Sequence, residues 1–196
     1  FADRYGERVR NVGVANTLVR EHNQWIGGNT DVDGFREPLR EVAQKTNRTL
    51  AGKSAVVIGA GGAARAVVAA LVEEGCTIWV ANRTVERAVR LLSDFGLPTE
   101  RALPLERGRS LTKLQTVDII VQTTSVGMEP DLEGDPVPEY QFRGTEIAYD
   151  IIYTPERTRF LARAQQAGCL GLNGAEMFER QAERQFTLFQ SVLYDV

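Results

Sequence analysis

Glycines at three positions of one short stretch give this sequence its clearest chemical signal. The stretch Gly59-x-Gly61-x-x-Ala64 follows a short apolar run and precedes a segment rich in alanine and valine. Glycines let a backbone approach a pyrophosphate, and the N-terminus of a following helix offers unpaired N–H groups and the positive end of the helix dipole. The spacing fits the dinucleotide-binding fingerprint in its G-x-G-x-x-A form. We expect cofactor contacts from Gly59, Ala60, Gly61, Gly62 and Ala63.

The elements around this loop predict a βαβ unit. Ser54 to Ile58 indicates a buried strand, the helical segment after the loop ends near Gly75, and Thr77 to Ala81 indicates a second strand. Strand, glycine turn, helix and strand within about thirty residues prefer a right-handed crossover in a parallel sheet. Further strands alternate with helices towards the C-terminus. The pattern therefore predicts an α/β fold with a Rossmann-type, doubly wound parallel sheet.

The end of the second strand is basic. Asn82, Arg83 and Thr84 follow it, and Arg87 lies one turn further on. A NAD-binding unit usually has an acidic residue here, which would repel a 2′-phosphate, whereas a guanidinium can pair with that phosphate through two hydrogen bonds. The residues therefore predict NADP as the cofactor. The alternative is that Arg83 and Arg87 form a solvated face of the next helix, with Thr84 as its N-cap.

Three local patterns predict elements on either side of this unit. Val14 to Val19 and Gln24 to Ile26 are β-prone pieces separated by polar residues, which predicts a hairpin. Asp31 to Arg48 has apolar residues at helical spacing and predicts a helix. Thr154 followed by Pro155 indicates the N-cap and first position of a later helix.

Composition limits the classes of function. The 196 residues give room for one domain and a fragment of another. A net charge of −3, with scattered basic residues, argues against a nucleic-acid partner. Two cysteines without C-x-x-C spacing and a single histidine argue against a metal site, and favour reduced cysteines in a cytoplasmic protein. No apolar run reaches transmembrane length, so we expect no membrane partner.

The chain opens at Phe1 without an initiator methionine, and its first predicted strands have no preceding strand to pair with. An unpaired edge of this kind indicates that part of the sheet is missing. We therefore expect the chain to be a piece of a longer protein. Its exposed apolar surface would then favour self-association of the truncated chain.

Several short stretches, in order along the chain, match the pattern of one family. The stretches are Ala15-Asn16-Thr17-Leu18, Asn29-Thr30-Asp31, the glycine loop, Asn82-Arg83-Thr84, Thr124-Ser125-Val126-Gly127-Met128, Tyr149-Asp150-x-x-Tyr153-x-Pro155, and Gly174-x-x-Met177 with Gln181. Together they resemble shikimate dehydrogenase from the last strands of its substrate domain onward. The C-terminal part is similar to the form that is fused to 3-dehydroquinate dehydratase.

The resemblance implies the reversible reduction of 3-dehydroshikimate to shikimate with NADPH, a step of aromatic amino-acid biosynthesis. A hydride is transferred to a ring carbonyl carbon, and a lysine–aspartate pair handles the proton on the oxygen. By match of the N-T-D motif, Asp31 is the catalytic aspartate. The implied substrate contacts are Asn16, Tyr153 and Gln181. The implied contacts around the nicotinamide are Thr124, Ser125, Val126, Gly127, Met128, Gly174 and Met177.

Each implied role has a plainer alternative. Asp31 precedes a helical segment and could simply be its N-cap. Asn16 could be a polar residue of a turn or bulge, and Gln181 a solvated side chain. Tyr153 and Met177 could both serve packing alone.

One part of the family pattern does not occur in this sequence. The family's catalytic lysine lies in an upstream V-T-x-P-x-K segment, whereas the lysines here are Lys45, Lys53 and Lys113, none in that context. The serine-rich motif that holds the substrate carboxylate also belongs upstream. We therefore expect the chain to bind NADP but to be inactive, or nearly so, as a dehydrogenase by itself.

Two other functions stay open at this point. A noncatalytic NADP-binding or regulatory module would be consistent with the missing lysine, but gives the substrate-type residues no purpose. Glutamyl-tRNA reductase has a similar nucleotide half with an N-R-T strand end. Its catalytic cysteine should lie in an upstream domain, and the motifs around Asp31, Tyr153 and Gln181 are not expected there.

With the resemblance, the sequence predicts four segments. Residues 1–30 are the remnant of an N-terminal α/β substrate-binding domain, and residues 31–48 are a connecting helix. Residues 49–172 form the NADP-binding Rossmann domain. Residues 173–196 are a C-terminal helix that packs towards the substrate domain.

Overall fold

The computed structural model describes residues 2–193, so residue 1 and residues 194–196 of the predicted first and last segments lie outside it. The strands are β1 Arg4–Tyr5, β2 Thr17–Glu21, β3 Gln24–Gly28, β4 Ser54–Ile58, β5 Thr77–Asn82, β6 Ala102–Pro104, β7 Ile119–Gln122, β8 Ile147–Asp150 and β9 Leu170–Leu172. The helices are α1 Glu7–Val12, α2 Asp31–Lys45, α3 Gly62–Glu73, α4 Val85–Asp94, α5 Arg159–Gln166 and α6 Ala175–Leu193. Within this part of the chain, no helix is long and apolar enough to cross a membrane.

A six-stranded sheet forms the larger part of the fold, with the order β6-β5-β4-β7-β8-β9 and all strands parallel. The chain winds outwards from β4 in one direction and from β7 in the other, which is the doubly wound arrangement of the Rossmann fold. The central strands β4 and β7 are buried on both faces, as a parallel sheet covered by helices requires. The predicted fold class is confirmed.

A second, three-stranded sheet has the order β1-β3-β2. Strands β2 and β3 form the predicted antiparallel hairpin, and its two turn residues, His22 and Asn23, both have positive φ. Such a two-residue turn matches the twist of the flanking strands. Strand β1 and helix α1 were not predicted, because residues 1–12 are polar and give little local signal.

Helices α2 and α6 lie against each other at very short range. A Cβ atom on Gly34 would lie 2.8 Å from the carbonyl oxygen of Met177 and 3.0 Å from the Cβ of Gln181. Ion pairs continue the contact along the helices, with 2.5 Å between Arg180 Nη2 and Glu41 Oε1. Gly34 therefore sets the distance between the two helices.

The start of α5 differs from the prediction. Residues 154–158 are irregular, and the helix begins at Arg159, with the Thr158 side chain accepting a hydrogen bond from the Leu161 amide. Thr158 Oγ1 also donates to the buried carboxylate of Asp150, at 2.6 Å. This tertiary contact selects Thr158 over Thr154 as the cap, and no local pattern could reveal it.

We expect Gly34→Ala to lower the free energy of unfolding by about 1–3 kcal/mol, because the added methyl group overpacks the α2–α6 contact. This loss should occur even though alanine is the better helix former. Chemical denaturation measures the change. Gly6→Ala is the matched control, since a Cβ there would meet only the Gly27 carbonyl oxygen at 3.6 Å. Equal stability of the two variants would contradict the proposed role of Gly34.

Candidate functional site

The loop after β4 lies at the point where the strand order of the large sheet reverses. Gly59 has a φ of +110°, and a Cβ there would lie 2.6 Å from Thr123 Oγ1, just beyond β7. The amide and the hydroxyl of Thr123 both donate to the Ile58 carbonyl oxygen, at 2.9 and 2.6 Å. Residue 59 must therefore be glycine, because its φ is positive and because a Cβ atom would overlap Thr123. Crevices at such switch points are where open α/β sheets bind ligands.

The next two glycines leave the N-terminus of α3 open. Gly61 occupies the N-cap position, Gly62 begins the helix, and both are exposed. A Cβ on either would meet no atom within 4 Å. No side chain caps this helix end, and the first amides of a helix have no intrahelical acceptor. The loop and helix end therefore fit a phosphate group. Ala60 and Ala63, also predicted, lie in the same loop and first turn, and both are half-buried.

The predicted 2′-phosphate residues lie beyond β5. Arg83 and Arg87 are exposed, and across residues 2–193 neither side chain forms an ion pair. Asn82 Nδ2 donates to the Thr84 carbonyl oxygen at 2.8 Å, which shapes the turn into α4. Thr84 holds the N-cap position of α4 but makes no side-chain cap hydrogen bond. Two exposed guanidinium groups thus flank the end of β5, a donor set that suits a phosphate.

The loop after β7 borders a cleft of about 350 Å³. Thr124, Ser125 and Met128 line it, together with residues 151–154 beyond β8. Val126 and Gly127 lie in the same loop, and Gly127 has a φ of +99°. The side chain of Gln122, a completely buried residue of β7, makes hydrogen bonds with the backbone of this loop.

Tyr153 lies on the other wall of this cleft and is half exposed. Its ring stacks on Phe178 of α6, with 4.8 Å between the ring centroids. Asp150 anchors the segment that leads to it, accepting hydrogen bonds from the Ile152 amide and the Thr158 hydroxyl. Burial raises the pKa of Asp150 to about 6, although both hydrogen bonds act in the opposite direction.

The structure brings three of the predicted residues together through Thr30. Asn16 Nδ2 donates to Asp31 Oδ1 at 2.7 Å and to Thr30 Oγ1 at 3.0 Å. The hydroxyl of Thr30 lies 3.4 Å from Gln181 Oε1. We call Asn16, Thr30, Asp31 and Gln181 the polar cluster. The short contact at Gly34 is what brings α6, and with it Gln181, up to this cluster.

Asp31 does not cap α2. Asn29 Oδ1 accepts hydrogen bonds from the amides of Asp31 and Val32, at 3.1 and 3.3 Å, so Asn29 closes the helix end. Asp31 is the first helical residue, and its carboxylate is left for the contact with Asn16. Burial raises the pKa of Asp31, and the hydrogen bond from Asn16 opposes the rise. The capping role of Asn29 was not predicted, although Asn followed by a helical segment is a recognisable signal.

Packing accounts for the positions of Gly174 and Met177. A Cβ on Gly174 would overlap the Ile151 carbonyl oxygen, and the Gly174 amide donates to the Ile152 carbonyl oxygen at 3.0 Å. Met177 is buried in the core of the large sheet. Their predicted cofactor contacts therefore remain predictions.

The reversed strand order, the open glycine loop and the basic end of β5 define the class: a Rossmann-type α/β protein with a crevice suited to a dinucleotide phosphate. A family profile described as shikimate / quinate 5-dehydrogenase matches residues 41–135. The chain belongs to the shikimate dehydrogenase family.

Individual relatives support this assignment over nearly the whole chain. A protein of Shouchella clausii named shikimate dehydrogenase (NADP(+)) is 41% identical over 92% of this chain and 64% of its own length. A Synechocystis protein of the same name is 39% identical over 97% and 67%. The crystal structure of a Thermus thermophilus shikimate 5-dehydrogenase, in complex with NADP(H) and shikimate, superposes with a TM-score of 0.79 at 36% identity. It covers 97% of this chain and 67% of that one. The chain thus spans about two thirds of the length of these relatives.

Asp150 should give the stability of the protein a measurable pH dependence. Its pKa is about 6 in the folded state and about 3.9 in the unfolded state, so the folded state binds more protons between these values. Wild-type stability should therefore fall by roughly 1–3 kcal/mol, relative to Asp150→Asn, as the pH rises from about 4 to 7. Urea unfolding at several pH values measures this difference.

The control is Glu179→Gln, which removes an exposed carboxylate of α6. Its stability relative to the wild type should not change across the same pH range. If the difference between the wild type and Asp150→Asn also stayed constant, Asp150 would ionise alike in the folded and unfolded states, and the pKa shift expected from its burial would be wrong.

Proposed function

We propose that this chain is the NADP-binding portion of a shikimate dehydrogenase, acting in the reversible reduction of 3-dehydroshikimate to shikimate. One observation supports this most strongly: contacts made by helix α6 connect the cleft beside the β7 loop with the polar cluster around Asp31. Tyr153 lines the cleft and stacks on Phe178, Gln181 follows one turn later on α6, and Thr30 links Gln181 to Asn16 and Asp31. A ligand in the crevice would therefore lie next to the groups expected to contact substrate.

Separate groups of residues would bind the cofactor and carry out the acid–base step. The first turn of α3 would hold the pyrophosphate, and Arg83 and Arg87 would pair with the 2′-phosphate. NADPH, when bound, supplies the hydride. Asp31 would accept a hydrogen bond from the reacting hydroxyl, with its raised pKa suiting a carboxyl that exchanges a proton there. Asn16 holds Asp31 Oδ1 and leaves the second carboxylate oxygen available for this contact.

The chain by itself should lack the lysine half of the expected lysine–aspartate pair. Lys45 pairs with Glu41 at 3.6 Å, and Lys53 with Asp118 at 3.3 Å. Lys113 lines a separate cleft beside Ser54 and Thr77, the first residues of β4 and β5, at the opposite end of the sheet. Among the described residues, none of these lysines reaches Asp31.

The two alternatives are weaker. Family membership favours shikimate dehydrogenase over a glutamyl-tRNA reductase. A noncatalytic NADP module would have no use for the polar cluster, which positions the half-buried carboxylate of Asp31 without employing it as a helix cap. For the isolated chain we also propose self-association through the uncovered face of the small sheet, where Leu18 and Trp25 are exposed.

Arg83→Ala should weaken NADPH binding by about tenfold while leaving NADH binding unchanged, because a charge-assisted pair to the 2′-phosphate contributes on the order of 1.5 kcal/mol. Titration with each nucleotide, followed by nicotinamide fluorescence, measures both affinities. Lys45→Ala is the control for net charge, since Lys45 lies on α2 in a surface ion pair. Equal wild-type affinity for NADPH and NADH would contradict the assignment of the basic end of β5.

The substrate side is tested by joining this chain to the part of a relative that it does not span. This chain alone should not reduce NADP⁺ with shikimate, whereas the chain preceded by the N-terminal third of the Shouchella clausii relative should do so. In that fusion, Asp31→Asn should lower kcat by at least about 100-fold, the range expected for loss of an acid–base group. Glu7→Gln, an exposed change on α1, should have no effect. An active fusion that tolerates Asp31→Asn would remove Asp31 from its proposed role.

A further inference from the structure

A single polar side chain lies inside the central strand β7. Ile119, Ile120 and Val121 are apolar and buried, and Gln122, the last residue of the strand, is completely buried as well. An amide buried in an apolar environment without hydrogen bonds is strongly unfavourable. The partners of this amide therefore show what it contributes.

The amide of Gln122 makes a complete set of hydrogen bonds, all with the loop that follows it. Oε1 accepts from the amide and the hydroxyl of Thr124, at 2.8 and 3.0 Å. Nε2 donates to the carbonyl oxygens of Val126 and Thr124, at 2.9 and 3.2 Å. Two donors and two accepting sites are all that a glutamine side chain offers. The orientation of the amide is fixed, because Nε2 faces two carbonyl oxygens.

Further hydrogen bonds within the loop link its remaining residues to Thr124. Thr124 Oγ1, held by Gln122, accepts from the Val126 amide at 3.2 Å. The Met128 amide then donates to the Ser125 carbonyl oxygen at 3.1 Å. Thr124, Ser125 and Met128, which line the cleft, therefore all belong to a turn that is folded around the side chain of Gln122.

The position of this turn relates it to one half of a dinucleotide. Gln122 pairs in register with Ile58 at the end of β4 and with Asp150 at the end of β8. Dinucleotides lie across the crevice at the switch point of a doubly wound sheet. The basic end of β5 is on one side of β4 and the turn after β7 is on the other. The turn therefore faces the half of the ligand that carries no 2′-phosphate.

We propose that Gln122 is a positioning residue that shapes the Thr124–Met128 turn and so sets the affinity for the nicotinamide half of the cofactor. This inference rests on the proposed NADP site. It makes a distinct claim, because the binding of the adenosine half should not depend on Gln122.

The test compares NADP⁺ with adenosine 2′,5′-bisphosphate, which contains only the adenosine half, by titration calorimetry on this chain. Gln122→Met keeps the size of the side chain but removes its hydrogen bonds. It should weaken NADP⁺ by about tenfold and leave the bisphosphate within about twofold, because only the nicotinamide wall is disturbed. Parallel losses for both ligands, or no loss for either, would overturn the proposal.

A second variant distinguishes positioning from general destabilisation. Gln122→Glu keeps the two accepting contacts but sets a carboxylate against two carbonyl oxygens, so NADP⁺ binding should again fall relative to the bisphosphate. Protonation at pH 5.5 restores one donor, and the ratio of the two affinities should recover in part. Val121→Ala, a buried change in the same strand, should lower the thermal midpoint without changing that ratio.

Hydrogen exchange separates this inference from the proposed function. In Gln122→Met the amides of Thr124 and Val126 should exchange about tenfold faster, while the Ile120 amide within the sheet should not change. This measurement needs no ligand. If the wild type bound neither ligand, the NADP proposal would fail and the exchange result would still decide whether Gln122 holds the turn. Unchanged exchange at Thr124 would refute the positioning role.

Discussion

Two hydrogen bonds from Thr123 to the carbonyl oxygen of Ile58 join the loops on either side of the crevice. They draw the backbone after β7 so close to the glycine loop that only glycine fits at residue 59. These hydrogen bonds fix the positions of both the N-terminus of α3 and the turn after β7. The phosphate-binding end and the nicotinamide wall of the proposed site therefore depend on one short contact between neighbouring strand ends.

Local sequence patterns were sufficient for the parts of the fold whose signals are local. Strands β4 and β5 were predicted to within a residue, because a βαβ unit with a glycine turn combines strand, loop and helix signals in about thirty residues. The hairpin of β2 and β3 was predicted from two β-prone pieces around polar residues, although β2 spans Thr17–Glu21 and does not begin at Val14. Strand β1 was not predicted, because two exposed residues, Arg4 and Tyr5, become a strand only by pairing with β3. The cap at Thr158 likewise depends on Asp150, which no local pattern connects with it.

The candidate site shows the same division between local and tertiary information. Motif matches placed Asn16, Asp31 and Gln181 in one functional group, although Gln181 is distant in sequence and meets the others only through Thr30. Gln122 was missed, because a glutamine at the end of an apolar run has no signal of its own. Its importance comes from a turn that closes back on it, which only the structure describes.

The contact at Gly34 also fixes part of the polar cluster to the large sheet. Helices α2 and α6 touch there with no side chain of residue 34 between them, and Val32, Phe35 and Met177 of these helices are buried in the core of the large sheet. Asp31 at the start of α2 and Gln181 on α6 therefore share one support. Asn16, next to the first residue of β2, approaches them from the small sheet. The cluster is thus a junction between the two sheets, with the carboxylate on one side and the amide that binds it on the other.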